Sequence, residues 1–490
     1  MFGSFVEHMG RCVYGGIYDP GHESADEDGF RADVLELVRE LGVTMVRYPG
    51  GNFVSGYRWE DGVGPADERA TRLDLAWRTT ETNAFGLNEF MRWARKADVE
   101  PMMAMNLGTR GVHEAVDLLE YCNHPGGTTL SGLRAEHGTA EPHGVRLWCL
   151  GNELDGPWQL GAKTAAEYGR LAATVARALR QYDPDLELVA CGSSNRQMPT
   201  FGSWEATVLE ETYDVVDMIS AHAYYEVVGD DVASFLASSV DMDRFIDDVV
   251  ATADHVGAKR SSTKRIDISF DEWNVWYNAE RKARGFPVGW PQAPRISEDD
   301  YTVADAVVVG SLLITLVRHS DRVAAACQAQ LVNTIGSIRT EPEGPAWRQT
   351  IFYPFAHVAN AAKGVVLSPQ VDAPTVETAR YGPVLAIDTV ATFDEATGDL
   401  TVFAVNRDPS QAVDLDVSLA AFDGATLERA VLLADDDWRA ANTRQDPERV
   451  VPVAHPGAQV VDGELRASLP PASWNVFSLR AGRRADQPGD

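Results

Sequence analysis

Short apolar runs alternate with segments of helical period from the start of the chain to about residue 360. Eight of these runs read as strands buried on both faces, because apolar residues dominate them. The predicted strands are 4–7, 44–48, 101–106, 145–150, 186–191, 215–220, 266–270 and 323–329. Eight strand-then-helix units over this length predict an α/β fold, the (β/α)8 TIM barrel, with an open doubly wound sheet as the structural alternative.

The segments between the strands carry the expected helix signals. One amphipathic helix is predicted at about 87–96. Thr164 and Glu167 have the spacing of a capping box, which marks the start of a second helix. That helix is expected to stop at Asp183-Pro184, since a residue before proline disfavours the helical conformation.

After Gly364 the pattern changes to short runs in which apolar and polar residues alternate. These runs cover 384–387, 400–405, 413–419 and 474–479, and 394–399 has the composition of a hairpin turn. The pattern predicts a C-terminal antiparallel β-sandwich of roughly 120 residues. We therefore expect a catalytic barrel over 1–363 and a sandwich domain over 364–490, with a frayed tail at 485–490.

Charge and composition argue against several classes of partner and location. The 490 residues include 43 Lys and Arg against 73 Asp and Glu, which gives a net charge of −30 and disfavours a nucleic-acid partner. The apolar run 306–317 is too short to span a membrane, so no membrane partner is expected. A start without a secretion signal and five scattered cysteines predict a reduced, cytoplasmic protein without metal or cofactor.

Two carboxylates lie at the ends of predicted strands. Glu153 follows Gly151-Asn152 after the fourth strand, and Glu272 follows Asp271 after the seventh. The carboxyl ends of barrel strands face the active-site mouth, and a pair of carboxylates there is the minimal equipment for cleaving a glycosidic bond. The alternative for either residue is a structural carboxylate that pairs with an arginine.

Further polar and aromatic residues are expected to line the same mouth. Asn152 could bond a sugar hydroxyl beside the reacting carbon, and Trp276 offers a flat apolar face to a sugar ring. Taken singly, His222 is also explained as a scaffold histidine whose bonds are satisfied. Gly50-Gly51 is explained either as a turn or as a close backbone approach to a bound sugar.

Seven segments occur in order along the predicted barrel. They are FVEHMGRCVYGGIY (5–18), VRYPGGNFVSGYRWEDGVGP (46–65), TTETNAFGLNEF (79–90), WCLGNELDGPWQLG (148–161), SAHAYY (220–225), FDEWNVWY (270–277) and AQLVN (329–333). Together they resemble glycoside hydrolase family 51 α-L-arabinofuranosidases. The ordered set is far more specific than the short motif GNE alone.

The resemblance implies a retaining, exo-acting enzyme that removes terminal arabinofuranosyl residues from arabino-oligosaccharides by double displacement. Glu153 would be the acid/base and Glu272 the nucleophile, with their carboxyls about 5–5.5 Å apart. The residues implied to bind the sugar are Glu7, Asn52, Trp77, Asn152, His222, Tyr224, Trp276 and Gln330.

The resemblance also implies an intracellular homo-oligomer, often a hexamer. Family members usually carry a strand before the first barrel strand that joins the sandwich. Here Met1 falls almost on the barrel strand, so the sandwich is expected to lack that strand or to recruit another. The alternative functions are another retaining barrel glycosidase, such as a β-xylosidase or endo-glucanase, and a non-catalytic carbohydrate-binding protein.

Overall fold

The computed structural model describes residues 1–422 and 424–481 of the chain. Eight parallel strands close into a barrel in chain order, and the first strand pairs with both the second and the last. The barrel strands are Phe2–Phe5, Met45–Tyr48, Glu100–Ala104, Leu147–Leu150, Glu187–Ala190, Met218–Tyr225, Asp267–Val275 and Val323–Ala329. The predicted TIM barrel is therefore confirmed, and the open sheet is excluded.

The sixth and seventh strands are longer than predicted, so the bounds 215–220 and 266–270 were wrong. After a bulge, the two strands stay paired from His222 and Glu272 to Tyr225 and Val275. Polar residues interrupt the apolar pattern there, because their side chains face the mouth of the barrel. Glu272 consequently lies within a strand, whose hydrogen bonds fix its backbone, rather than in the loop beyond it.

Helices and short turns connect the barrel strands. The capping box of the helix Ala165–Tyr182 is confirmed, since Thr164 Oγ1 accepts from the Glu167 N–H at 3.3 Å and Glu167 Oε2 accepts from the Thr164 N–H at 2.9 Å. The other helices are Ala32–Leu41, Leu87–Ala97, Val112–Asn123, Thr129–Glu136, Ser203–Thr212, Val232–Leu236, Ser239–Lys259, Asn278–Arg284, Val303–Arg318 and Phe352–Ala361. Short 3₁₀ turns cover Asn52–Gly56, Trp59–Gly62 and Ala66–Glu68, and two small hairpins pair Arg72–Asp74 with Thr79–Glu81 and Ile338–Arg339 with Trp347–Arg348.

The C-terminal part consists of antiparallel sheets. One sheet has the order Val365–Leu367, Ile387–Asp394, Asp399–Asn406, Ser473–Arg480, Thr426–Leu433, Val453–Ala454. A second has the order Val413–Ser418, Glu464–Leu469, Gln459–Val461, and a hairpin pairs Thr375–Thr378 with Gly382–Leu385. Leu400 and Leu415, on facing sheets, belong to one buried cluster, which confirms the predicted sandwich.

The details of the C-terminal prediction have different outcomes. The turn at 394–399 is confirmed, but the single strand predicted at 384–387 was wrong because Ala386 separates two strands. Within the described ranges, the strands of both sheets come from residues after 364. The domain division at 363 and 364 stays a prediction, and the expected tail at 485–490 lies outside the described residues.

The helix Val303–Arg318 is buried along almost its whole length between the barrel and the six-stranded sheet. Gly310 faces Trp474 so closely that a Cβ there would lie 2.4 Å from Trp474 Cε3. This double burial explains the apolar run seen in the sequence at 306–317. No helix in the described part of the chain has both the length and the apolar character needed to cross a membrane.

Candidate active site

Glu153 and Glu272 meet at the carboxyl end of the barrel. One carboxylate oxygen of Glu153 lies within 4.8 Å of one carboxylate oxygen of Glu272. Gly151 and Glu153 both have a left-handed backbone, with φ of 100° and 44°, which turns the chain sharply after the fourth strand. Such a conformation is uncommon for a residue with a side chain, and it is a form of local strain often found at functional sites.

Two donors hold the carboxylate of Glu272. Arg47 Nη1 donates to Oε1 at 2.7 Å, and the Tyr224 hydroxyl donates to Oε2 at 2.8 Å. Burial raises the pKa of Glu272 above its ordinary value, while the positive charges of His222 and Arg47 oppose that rise. Because a guanidinium can only donate, the oxygen that faces Arg47 is unprotonated.

Glu153 has different partners. Its Oε1 lies 2.9 Å from His222 Nδ1, and its Oε2 accepts from the Trp158 indole N–H at 2.9 Å. The other ring nitrogen of His222, Nε2, lies 2.8 Å from Asp271 Oδ1. Burial lowers the pKa of His222, but the charge of Glu272 and the bonds to Asp271 and Glu153 outweigh it and hold that pKa well above its ordinary value. His222 therefore keeps a proton next to Glu153.

Glu7 forms a second carboxyl centre at the mouth. Its Oε1 accepts from the Phe53 backbone N–H at 2.8 Å and from the Trp77 indole N–H at 3.0 Å. Gln330 bonds the same residue twice, since Nε2 donates to Glu7 Oε2 and Oε1 accepts from the Glu7 N–H, both at 3.3 Å. A Cβ on Gly51 would lie 2.6 Å from Glu7 Oε2, so the predicted glycine turn makes room for Glu7.

The remaining predicted residues connect to the same network. Asn152 Oδ1 accepts from Arg47 Nη2 at 2.6 Å, and its buried Nδ2 has no partner among the described residues. The rings of Tyr224 and Trp276 meet edge to face with centroids 5.0 Å apart, and Trp276 Nε1 donates to Ser297 Oγ at 3.0 Å. The unpaired donor, Asn152 Nδ2, belongs to a residue that shares Arg47 with Glu272, and it is available to a hydroxyl of a bound sugar.

Asn52 contributes to the site through the backbone turn that it begins. It begins the 3₁₀ turn Asn52–Gly56, which presents the N–H of Phe53 to Glu7. It also lines a neighbouring cavity of about 120 Å³. The ten residues singled out in the sequence thus gather at one end of the barrel, and their individual roles stay predictions.

Glu153, His222 and Glu272 are also a set of potential metal ligands, since one ligand atom from each lies within 4.8 Å of the others. However, His222 Nδ1 and Glu153 Oε1 are only 2.9 Å apart. Two tetrahedral zinc bonds of about 2.0–2.1 Å would hold ligand atoms about 3.3 Å apart. The spacing therefore favours a direct hydrogen bond over an ion between these atoms.

Comparison with known proteins gives the family. The family model "Alpha-L-arabinofuranosidase 1 domain" matches residues 37–244, and "Alpha-L-arabinofuranosidase C-terminal domain" matches residues 271–473. An intracellular exo-alpha-(1->5)-L-arabinofuranosidase of Streptomyces lividans is 60% identical over 97% of this chain and 72% of its own length. The structure of AbfB, a family 51 alpha-L-arabinofuranosidase from Bifidobacterium longum, is 49% identical with a TM-score of 0.94, over 98% of this chain and 96% of that chain. The chain belongs to the family 51 α-L-arabinofuranosidases.

Membership makes this arabinofuranosidase a glycoside hydrolase, which confirms the enzyme class predicted from the sequence. The relatives differ in the linkage that they are named for. An exo-alpha-(1->6)-L-arabinofuranosidase of Bifidobacterium longum is 55% identical over 98% of this chain and 94% of its own length. Two relatives that are similarly close to this chain are therefore named for different linkages.

Three residues of the arabinofuranosidase site were missed in the sequence. Arg47 is buried in the second strand and bridges Glu272 and Asn152, and its Nε lies 3.9 Å from Asp271. Arg47 and Asp271 are both buried charges. The signal was a charged residue within an apolar strand run for Arg47 and directly after such a run for Asp271, because a buried charge needs a partner. Trp158 lies in an irregular, half-exposed segment, where the sequence pattern gave no such signal.

The stability of the arabinofuranosidase is expected to depend on pH through Glu7. Burial raises the pKa of Glu7 to about 8, although the Phe53 and Trp77 donors oppose it. An unfolded glutamate titrates near about 4.3, so the folded protein binds the extra proton between these values and loses stability as pH rises through them. The Tm of Glu7→Gln relative to wild type should increase from pH 5 to pH 9.

Thermal unfolding of both proteins across that range measures this difference. The control Glu226→Gln removes a carboxyl from a more exposed position after the sixth strand, so it measures the change in Tm that is common to removing any carboxyl. A Tm difference for Glu7→Gln that does not change with pH would show that Glu7 is already ionised at low pH.

Proposed function

We propose that this arabinofuranosidase is a retaining, exo-acting enzyme that removes terminal non-reducing α-L-arabinofuranosyl residues from arabino-oligosaccharides. The observation that carries the proposal is the approach of Glu153 and Glu272, with oxygens within 4.8 Å. Retaining glycosidases hold the two carboxyls about 5–5.5 Å apart, whereas inverting enzymes separate them by about 6.5–9.5 Å to admit a water molecule. Direct attack by one carboxylate is therefore favoured.

In the first step Glu272 attacks the anomeric carbon and Glu153 gives its proton to the leaving oxygen. The bond between the anomeric carbon and that oxygen breaks as an ester with Glu272 forms. Arg47 and Tyr224 hold the two oxygens of Glu272, so the nucleophile is oriented before substrate arrives.

In the second step Glu153, now a carboxylate, removes a proton from a water molecule that attacks the anomeric carbon. The ester bond breaks, Glu272 is released, and the sugar leaves with its original configuration after two inversions. Glu153 regains its proton from that water, so the same residue acts first as an acid and then as a base.

The sugar ring is proposed to contact the residues gathered around this pair. Polar contacts would come from Glu7, Asn52, Asn152, Tyr224 and Gln330, while Trp77 and Trp276 form the apolar walls, with His222 close by. A partly protonated Glu7 can both donate to and accept from sugar hydroxyls. The unpaired Nδ2 of Asn152 supplies a further donor.

We further propose a cytoplasmic location and a homo-oligomeric assembly. The Streptomyces lividans relative is named as an intracellular enzyme, which supports the location. The assembly, as a hexamer, follows from the family resemblance. With a net charge of −30, the chain is not expected to bind nucleic acid.

A panel of aryl glycosides tests this function. We expect rapid hydrolysis of p-nitrophenyl α-L-arabinofuranoside and little or none of the β-D-xylopyranoside and β-D-glucopyranoside, because the site is proposed to be shaped for a five-membered ring. Proton NMR of the first product formed should show α-arabinofuranose before mutarotation. Faster pyranoside cleavage would favour a β-xylosidase or endo-glucanase, and an initial β-product would contradict retention.

A further inference from the structure

A cavity of about 230 Å³ opens beside the proposed sugar pocket, next to Trp77. The helix Asn278–Arg284 and the segment after it form most of its wall. Two contacts join it to the pocket, since Trp77 also donates to Glu7 and the lining residue Ser297 accepts from Trp276. A substrate larger than one arabinofuranosyl unit can therefore extend from the pocket into this cavity.

The wall of the cavity is attached to the neighbouring hairpin. Thr80 Oγ1 donates to the carbonyl of Trp290 at 2.7 Å, and the Thr80 N–H donates to the carbonyl of Pro291 at 3.1 Å. The hairpin, formed by Arg72–Asp74 and Thr79–Glu81, carries Arg78 at its turn. These bonds hold Arg78 next to the cavity segment.

Arg281 and Arg78 bring two positive charges to this place. The Arg281 guanidinium carbon lies 5.8 Å from the centroid of the Phe286 ring and 5.6 Å from that of Trp276. The Arg78 guanidinium carbon lies 6.0 Å from the same Phe286 ring and 5.4 Å from the Trp290 ring. Two cations near one ring repel each other, and an anion bound between or beside them offsets that repulsion.

Within residues 1–422 and 424–481, no carboxylate oxygen lies within 4.0 Å of the guanidinium of either arginine. The Nε of Arg281 donates to Asn278 Oδ1 at 2.9 Å, which leaves its terminal nitrogens for another acceptor. Burial lowers the pKa of Arg281 from its ordinary value, the direction expected for a cation without a counter-ion. Arg281 is half-buried, so a cation there with no carboxylate contact among the described residues is unusual, whereas Arg78 lies exposed at the hairpin turn.

The other charged groups around the cavity are balanced. Arg284 pairs with Glu280 at 2.8 Å, and Arg295 pairs with Glu298 at 2.7 Å. Asp299 also lines the cavity and is an anion at neutral pH, although burial raises its pKa to about 6. Its Oδ2 accepts from the Tyr277 N–H at 3.3 Å, and it lies more than 4.0 Å from both guanidinium groups. The cations that no described carboxylate contacts are therefore Arg281 and Arg78.

We propose that Arg281 and Arg78 form a subsite for a carboxylate on the leaving-group side of the substrate, so that the preferred substrates are arabinofuranosides of a uronic acid. Guanidinium groups bind carboxylates through paired, charge-assisted hydrogen bonds, and the nearby aromatic rings suit a sugar face. This inference rests on the proposed function, because it assigns the leaving group of the same reaction.

The test compares two substrates that differ only in charge. One is an α-L-arabinofuranosyl disaccharide with galacturonic acid as the leaving group, and the other is its neutral methyl ester. We expect wild-type kcat/KM to be at least about fivefold higher on the acid than on the ester, from a charge-assisted contact. The ratio should fall towards one in Arg281→Gln, and more modestly in Arg78→Gln.

Lys282→Gln is the matched control, because it removes the same charge from the same helix at an exposed position outside the cavity lining. It should keep the wild-type ratio. Raising the salt concentration should lower the wild-type ratio, since screening weakens a partly exposed ion pair. The ratio within each variant cancels any general loss of activity.

The outcomes separate this inference from the proposed function. If the wild-type enzyme cleaves the neutral ester as fast as the acid, or if Arg281→Gln and Arg78→Gln both keep the wild-type ratio, the carboxylate subsite is wrong while the arabinofuranosidase function stands. If neither disaccharide nor aryl arabinofuranoside is cleaved, the proposed function itself fails.

Discussion

Glu272→Ala is expected to lower kcat on every arabinofuranoside by at least about 10⁴-fold, since loss of the attacking group in a covalent mechanism typically costs that much or more. The loss should not depend on the leaving group, because no ester can form with any substrate. Arg47 and Tyr224 would keep their positions but face an empty space.

Azide gives this prediction a stereochemical readout. A small anion that fills the space left by Glu272 attacks the anomeric carbon once, so the arabinosyl azide formed by Glu272→Ala should have inverted configuration. Glu226→Gln, which removes a carboxyl after the sixth strand, should retain wild-type kcat. Substantial turnover by Glu272→Ala with retained configuration would assign the nucleophile to another residue.

Glu153→Ala is expected to have an effect that depends on the leaving group. Removal of a general acid typically costs about 10²–10⁴-fold, but a leaving group that needs no proton escapes that cost in the first step. We therefore expect a severe loss of kcat/KM on arabino-oligosaccharides and a small loss on p-nitrophenyl arabinofuranoside. Stopped-flow measurement on the aryl substrate should show a burst, because the ester on Glu272 now hydrolyses slowly.

Azide should also accelerate Glu153→Ala, but with the opposite stereochemistry. It attacks the ester on Glu272, so two inversions give an arabinosyl azide of retained configuration. Asp155→Asn is the matched control, as it removes a half-buried carboxyl two residues further along the same loop, which accepts from the Ser194 N–H at 3.0 Å. Equal losses on oligosaccharide and aryl substrates would contradict the assignment of Glu153 as the acid.

The barrel was predictable because each strand contains a short apolar run, and segments of helical period separate these runs along the chain. The sequence could not show that the sixth and seventh strands continue to Tyr225 and Val275, because inward-facing polar residues remove the apolar signal there. The break at Ala386 was hidden for the opposite reason, since an unbroken apolar run crosses it without a turn motif. In both places, the ends of the strands do not coincide with the ends of the apolar runs.

The two carboxylates could be found singly, but their partners could not. Glu272 pairs with Arg47, as the alternative of a structural carboxylate predicts. The same residue also lies opposite Glu153, as the functional interpretation predicts, so both interpretations describe it. His222 likewise has both nitrogens satisfied and still contacts Glu153. Spacing along the chain does not reveal such pairings, because they form between strands far apart in sequence.

The position of the helix Val303–Arg318 has a practical consequence for engineering. Its outer side is covered by the six-stranded sheet, and Trp474 lies directly on Gly310. A shortened protein that stops near residue 363 would leave a row of valines and leucines facing water. Exchanging the C-terminal sheets between family members therefore requires that the facing residues of this helix and of the six-stranded sheet be exchanged together, because the two surfaces are fitted to each other as Gly310 and Trp474 are.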